Sequence, residues 1–144
     1  MNNPNKPNGC TNLKLRQLNR MVTRHYDHHI AASGLKITQY SLLSFVVNLG
    51  PLRPSDLAKH MQMDTSTLTR NMQPLVTHGW LTIGEGVDAR SRLVTATAAG
   101  YDKQREAKLA WKSAQQALNE QLGVANVLEL HTLLDNCIAK LSER

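Results

Sequence analysis

The stretch that decides the fold runs from Leu52 to Ala96: Leu52-Arg-Pro-Ser-Asp-Leu-Ala-Lys-His-Met61, then Gln62-Met63, then Asp64-Thr-Ser-Thr-Leu-Thr-Arg-Asn-Met-Gln-Pro-Leu-Val-Thr-His78, and Gly79-Trp-Leu-Thr-Ile83. It closes with Gly84-Glu-Gly-Val-Asp-Ala-Arg-Ser91 and Arg92-Leu-Val-Thr-Ala96. Pro54 suits the first position of a helix, where its missing N–H would have no partner, so the segment to Met61 reads as a short helix. Arg53 stands where a small capping residue is usual. Asp64 is a better N-cap, opening a second helix from Thr65 to about His78 that Gly79 stops. The period then changes to two, so Trp80–Ile83 and Arg92–Ala96 read as strands around a turn over 84–91. Two short helices joined by Gln62-Met63-Asp64 and followed by a hairpin make a winged helix-turn-helix pattern.

On a helical wheel, Leu68, Met72, Leu75, Val76 and Gly79 share the inward side of the second helix. Opposite lie Ser66, Arg70, Gln73 and Thr77, with Thr67 beside them, a face that is polar without being simply charged. Arg70 matches the paired acceptors of guanine and Gln73 the donor–acceptor pair of adenine. Thr65, Ser66 and Thr67 occupy the first turn, where hydroxyls and free backbone N–H groups suit a phosphate. A merely solvated face would more often carry Glu and Lys. Pro74 falls inside this helix, lacks an N–H and crowds the carbonyl of Arg70, so a kink after Arg70 is expected, because the apolar spacing continues through Leu75 and Val76.

In the hairpin turn, two glycines permit a tight reversal and Arg90 is placed to enter a minor groove, whose narrow walls concentrate negative potential. Arg92 adds charge at the hairpin's return, and Asp88 is near enough in sequence to pair with Arg90 or Arg92 and shape the loop.

Working outward, residues 10 to about 32 form a helical pattern with Leu15, Leu18, Val22, Tyr26 and His29 on one stripe and Arg16, Arg20 and Arg24 on the other side. Gly34 ends it, and Thr38 is the expected cap of a buried helix, Gln39–Leu49, that Gly50-Pro51 stops. After the hairpin come a long helix, about Ala98–Leu122, and a last one, Val124–Leu141. The last carries Val124, Val127, Leu128, His131, Leu134, Ile138 and Leu141 at heptad-like spacing, widened by Leu133 and Cys137. So broad an apolar face implies a second subunit as well as the chain's own core. The fold class is therefore mainly α with a small β-hairpin wing (α+β), a winged helix-turn-helix plus a helical dimerisation region. Residues 1–9 read as a disordered arm, 10–36 and 98–144 as dimerisation helices, and 37–97 as the reading head, within one domain.

Composition limits the alternatives. The chain of 144 residues has a formal net charge of +6, but the excess lies in residues 1–36, where Lys6, Lys14, Arg16, Arg20, Arg24 and Lys36 face only Asp27. The reading head is nearly neutral, so charge alone does not locate a polyanion surface. Aromatic residues are only 4%, against recognition platforms of stacked rings. No apolar run reaches the roughly 18 residues of a membrane helix, and the polar start lacks a signal-peptide core, so a cytoplasmic protein without a membrane partner is expected. No glycine-rich phosphate loop or nucleophile–histidine signature is present, which argues against an enzyme, and no catalytic residue, cofactor or metal site is assigned. The rival of a different class is a dimeric winged-helix protein–protein module that does not read DNA.

Leu52-x-Pro54-x-Asp56-Leu57-Ala58, Asp64-x-Ser66-x-Leu68-Thr69-Arg70, Gly79-Trp80-Leu81 and Asp88-x-Arg90-x-Arg92-x-Val94-x-Ala96-Thr97-x-x-Gly100 stand in order. With Leu35-x-x-Thr38-Gln39-Tyr40 and the flanking helices, the chain resembles the MarR family of bacterial transcription regulators over about residues 10–142. Ala96 departs from the leucine usual before the threonine. The resemblance implies a triangular homodimer on a pseudo-palindromic double-stranded DNA operator, usually as a repressor. Its two recognition helices would enter successive major grooves about 34 Å apart. It also implies release by a small molecule, metal or oxidant. The family's peroxide sensors place a reactive cysteine at the start of the first helix near tyrosines, which puts Cys10, Tyr26 and Tyr40 in view, although Gln39 stands where a second-helix tyrosine is expected. His25 and His29, four apart, are a second sensing candidate, and Arg16, Arg20 and Arg24 a third, for a small anionic aromatic effector. Cys137 is expected in the core.

Overall fold

The computed structural model describes residues 4–84 and 92–142. Helix α1 spans Thr11–Ile30 and passes through a short 3-10 turn, Ala31–Ser33, to Gly34, whose left-handed backbone (φ 81°) reverses the chain. Helix α2, Ile37–Leu49, begins two residues earlier than its sequence suggests. Lys36, not Thr38, is its N-cap: the Gln39 side-chain oxygen accepts from the Lys36 N–H (2.9 Å), and Asp27 of α1 accepts from the Ile37 N–H (2.7 Å). These two acceptors satisfy N–H groups that no capping hydroxyl reaches.

Helix α3, Pro54–His60, and α4, Thr65–Thr77, are followed by strands β1, Leu81–Ile83, and β2, Val94–Ala96. Each strand is shorter than its sequence pattern. Leu81, Thr82 and Ile83 pair antiparallel with Ala96, Thr95 and Val94. Leu52 adds one further rung, an isolated bridge to β2: its N–H donates to the Val94 carbonyl (3.2 Å) and its carbonyl accepts from the Val94 N–H (2.8 Å). The long α5, Ala98–Leu122, and α6, Val124–Ser142, complete the chain, turning at Gly123. No single helix among the described residues is long and apolar enough to cross a membrane.

Helix α2 lies at the centre, touching α1, α4, α5 and β2, with Leu42, Leu43 and Val46 fully buried. Leu57, Leu68, Met72, Leu75, Leu81 and Val94 close around it to form the core of the reading head. Outside this core α1 runs along α5. Helix α6 is different: Val127 is buried, while Val124, Leu128, Leu133, Ile138 and Leu141 are each at least half exposed. Cys137 is exposed as well, correcting its expected place in the core, because the α6 face on which it lies is uncovered in the single chain.

Candidate nucleic-acid interface

Helix α4 is fixed at both ends by local chemistry. At its start the Asp64 carboxylate accepts from the Thr67 N–H (2.7 Å), from the Ser66 hydroxyl (2.7 Å) and from the Thr67 hydroxyl (3.1 Å). These hydrogen bonds, led by the Thr67 backbone and helped by the charge of Arg70, hold the Asp64 pKa down at about 2. At its end, Gly79 takes a left-handed backbone (φ 77°). The Gly79 N–H donates to the Val76 carbonyl and the Trp80 N–H to the Leu75 carbonyl, both at 2.9 Å, a Schellman closure. The helix continues through Pro74 to Thr77, so the apolar spacing at Leu75 and Val76 does report helix beyond the proline. Pro74 has no N–H to return to the Arg70 carbonyl, which opens the ladder at that rung.

The outward face is solvent-exposed: Thr65, Ser66, Arg70, Gln73 and Thr77 are all exposed, and Thr67 is half-buried. Leu68, Met72 and Leu75 point into the core. Arg70 is free of any ion pair among the described residues. The hydroxyls of Ser66 and Thr67 each spend their one proton on Asp64, so in this state they present lone pairs outward. For a phosphate, the first turn offers backbone N–H groups in preference to these two hydroxyls. Arg92 is exposed at the hairpin's return. Asp88 and Arg90 lie outside the described residues.

Two features were not singled out in the sequence. The Asn71 amide donates to the thioether of Met63 (3.7 Å), joining α4 to the turn before it. Lys103 of α5 donates to the Ser33 carbonyl (2.8 Å), pairs with Glu106 (3.0 Å) and stands 5.3 Å from the ring centroid of Trp80. It thereby joins the end of α1, the base of the hairpin and α5. Its partners lie far apart in sequence, so no spacing pattern announces it. The hydroxyl of Thr97, legible in Thr97-x-x-Gly100, accepts from the Gly100 N–H (3.0 Å) and donates to the Gly79 carbonyl (2.6 Å).

The sensing candidates are not gathered into one site within a single chain. Cys10 is the exposed N-cap of α1, and Tyr26 lies sixteen residues along that helix, about 24 Å away at 1.5 Å per residue. Tyr26 is buried and donates to Gln115, and Tyr40 is buried against Trp111 (6.1 Å between ring centroids); burial raises both phenol pKa values. His25 donates to the Ala114 carbonyl (2.8 Å) and His29 to the His25 carbonyl (2.9 Å), their rings 4.3 Å apart. Among the described residues no group of three or more His, Cys, Asp or Glu is arranged to hold a metal. Arg16, Arg20 and Arg24 are exposed. A separate cavity of about 530 Å³ opens between α2 and α5, lined by Tyr40, Phe45, Gln104, Lys108 and Trp111 among others.

A profile of the MarR family matches residues 33–91. The uncharacterized HTH-type transcriptional regulator YwoH of Bacillus subtilis (strain 168) is 25% identical over 93 residues, covering 65% of this chain and 68% of that protein. The M. tuberculosis transcriptional regulator MosR in complex with DNA superimposes with a TM-score of 0.73 at 25% identity, covering 90% of this chain and 98% of that one. The transcriptional repressor CouR, bound to a 23-mer DNA duplex, has the same fold with a TM-score of 0.80 at 19% identity, covering 90% and 92%. Helix pair, hairpin and flanking helices agree with these likenesses: residues 33–91 match the MarR family, and the chain as a whole has the winged helix-turn-helix fold of these transcription regulators.

Proposed function

We propose that the chain acts as a homodimer on a pseudo-palindromic double-stranded DNA operator, as a cytoplasmic repressor released by a small molecule or an oxidant. The observation that carries the DNA-reading part is the exposed polar face of α4, with Arg70 and Gln73 unburied above a buried apolar face. Arg70 and Gln73 take the base edges, backbone N–H groups of the first turn take a phosphate, and Arg90 and Arg92 serve the flanking minor groove, with Asp88 shaping that loop. The exposed leucines and isoleucine of α6, together with exposed Leu13, Leu15 and Met21 of α1, support the dimer. On this reading the sequence divides into 10–36 and 98–144 for dimerisation and 37–97 for reading.

The α2–α5 cavity supports release by a small molecule: aromatic walls at Tyr40, Phe45 and Trp111 and a cation at Lys108 suit an aromatic anion better than the solvated Arg16, Arg20 and Arg24 do. The exposed thiol of Cys10 is the oxidant-responsive candidate. The test is selection of the full chain on random duplexes, followed by mobility shift on the enriched sequence with wild type and Arg70→Ala. Binding by the wild type that the variant weakens supports the reading. Absence of any enriched duplex overturns it in favour of a protein-binding module.

A further inference from the structure

Gln62 lies in the turn between α3 and α4 and has φ 54°; among the described residues no other non-glycine has a positive φ. The turn closes α3: the Gln62 N–H donates to the Lys59 carbonyl (3.2 Å) and the Met63 N–H to the Ala58 carbonyl (2.9 Å). That is the closing pattern in which the left-handed position is ordinarily a glycine, because any side chain there is strained. Gln62 keeps its side chain, and that side chain has a partner eighty residues away. Its Nε2 donates to the hydroxyl of Ser142 (3.2 Å) in the last turn of α6, while the Ser142 hydroxyl donates to the Ile138 carbonyl (2.7 Å). Donors and acceptors alternate correctly along this chain of two bonds.

Helix α6 buries Val127, faces α1 and α5 across a cavity through Leu130, His131 and Leu134, and carries Ser142 fifteen residues beyond Val127, about 22 Å at 1.5 Å per residue. Between these two points it exposes Leu128, Leu133, Ile138 and Leu141. The helix therefore runs from its contact with α5 to the turn of the reading head, which it meets through Ser142.

We infer that Gln62 is a positioning residue that fastens the reading head to the far end of α6, so that the dimer sets the separation of the two heads through this contact. The inference rests on the dimeric DNA-binding reading above. A second copy seated on the apolar face of α6 fixes that helix. The Gln62–Ser142 bond then carries its position to the turn immediately before α4. Loss of the bond leaves each head held to α2 and α5 but freer to adjust to DNA.

The experiment uses the full chain and the duplex enriched by selection, with one or two base pairs inserted or deleted between half-sites. Wild type, Gln62→Ala, Gln62→Gly and Ser142→Ala are titrated against each duplex, and thermal melting confirms that each variant is folded. Gln62→Gly removes the side chain while relieving the backbone, so it separates the contact from turn strain. Wild type is expected to lose affinity steeply off the preferred spacing. Each variant is expected to discriminate about fivefold less between spacings, the worth of one hydrogen bond of this kind. The paired variant Gln62→Ala/Ser142→Ala should lose no more than either alone. Parallel spacing profiles for wild type and all variants overturn the inference while leaving the DNA-binding reading intact. Failure of the wild type to bind any duplex overturns both.

Discussion

Gly100 lies directly beneath the carbonyl of Trp80: a β-carbon on residue 100 would stand well inside van der Waals contact with that oxygen. This close approach lets the start of α5 seat against the base of the hairpin, where the Thr97 N–H donates to the same Trp80 carbonyl (3.1 Å). Because the obstacle is backbone and not a flexible side chain, it cannot turn away. Gly100→Ala is expected to destabilise the chain by about 1–3 kcal/mol, the usual range for overpacking, read as a lower urea midpoint. Gly84→Ala has more room, its β-carbon meeting the Leu93 backbone at 3.6 Å, and should cost less.

Arg70→Ala should cost about 1–3 kcal/mol of DNA affinity and relax preference at one base position in each half-site. Competition with duplexes altered one position at a time checks both effects. A uniform loss across all sequences would reassign Arg70 to the phosphate backbone.

The Asp64 carboxylate is held near pKa 2, below its ordinary 3.8, by hydrogen bonds from Thr67 and Ser66. A depressed carboxylate stabilises the fold above the unfolded value, and that contribution drains away as pH falls from about 3.8 through about 2. Asp64→Asn keeps a capping oxygen without the charge. The urea midpoint of the wild type should exceed that of Asp64→Asn at neutral pH, and the gap should close as the pH approaches 2.

Leu128→Glu and Ile138→Glu fall on residues already 64% and 50% exposed in the single chain, so folding of the protomer should survive them. Sedimentation equilibrium should find monomers, with helical content kept. DNA affinity should fall at least about a hundredfold, since two linked heads act at high effective concentration. Dimers persisting in both variants would place the interface elsewhere.

For the thiol, mobility shift with hydrogen peroxide compares wild type with Cys10→Ser. Release lost in the variant assigns oxidant response to Cys10. Equal release in both removes it, as does release in neither.

The reading head was legible because its signals are local. Asp64 three residues before Thr67, and Gly79 two residues before the strand, act through bonds spanning a few residues, and the structure realises both. Period alone overextended the strands, since Trp80 ends the α4 closure and Arg92 precedes the paired residues. The cap of α2 is not legible because the Lys36 side chain, an ammonium, has no acceptor to offer, and the acceptors come from Gln39 and from Asp27, ten residues before the N–H it serves. Lys103 and the Gln62–Ser142 pair depend on contacts across 70 and 80 residues, beyond any periodic signal. Polar faces could be read as outward, but the direction of the Ser66 and Thr67 protons could not, because it is set by the cap they serve.

The rung between Leu52 and Val94 gives the head a mechanical property. Both backbone bonds of that rung are made, Val94 is fully buried, and Arg53, next to Leu52, is the N-cap of α3. A tilt of the hairpin therefore pulls on the start of α3 rather than pivoting about its own base. Hairpin base and helix pair form a two-armed lever with Leu52 near the fulcrum, so a force that tilts the hairpin base is delivered as rotation of α4. Under the operator-binding function proposed above, such a head responds to the twist of the duplex as a whole rather than to one groove at a time.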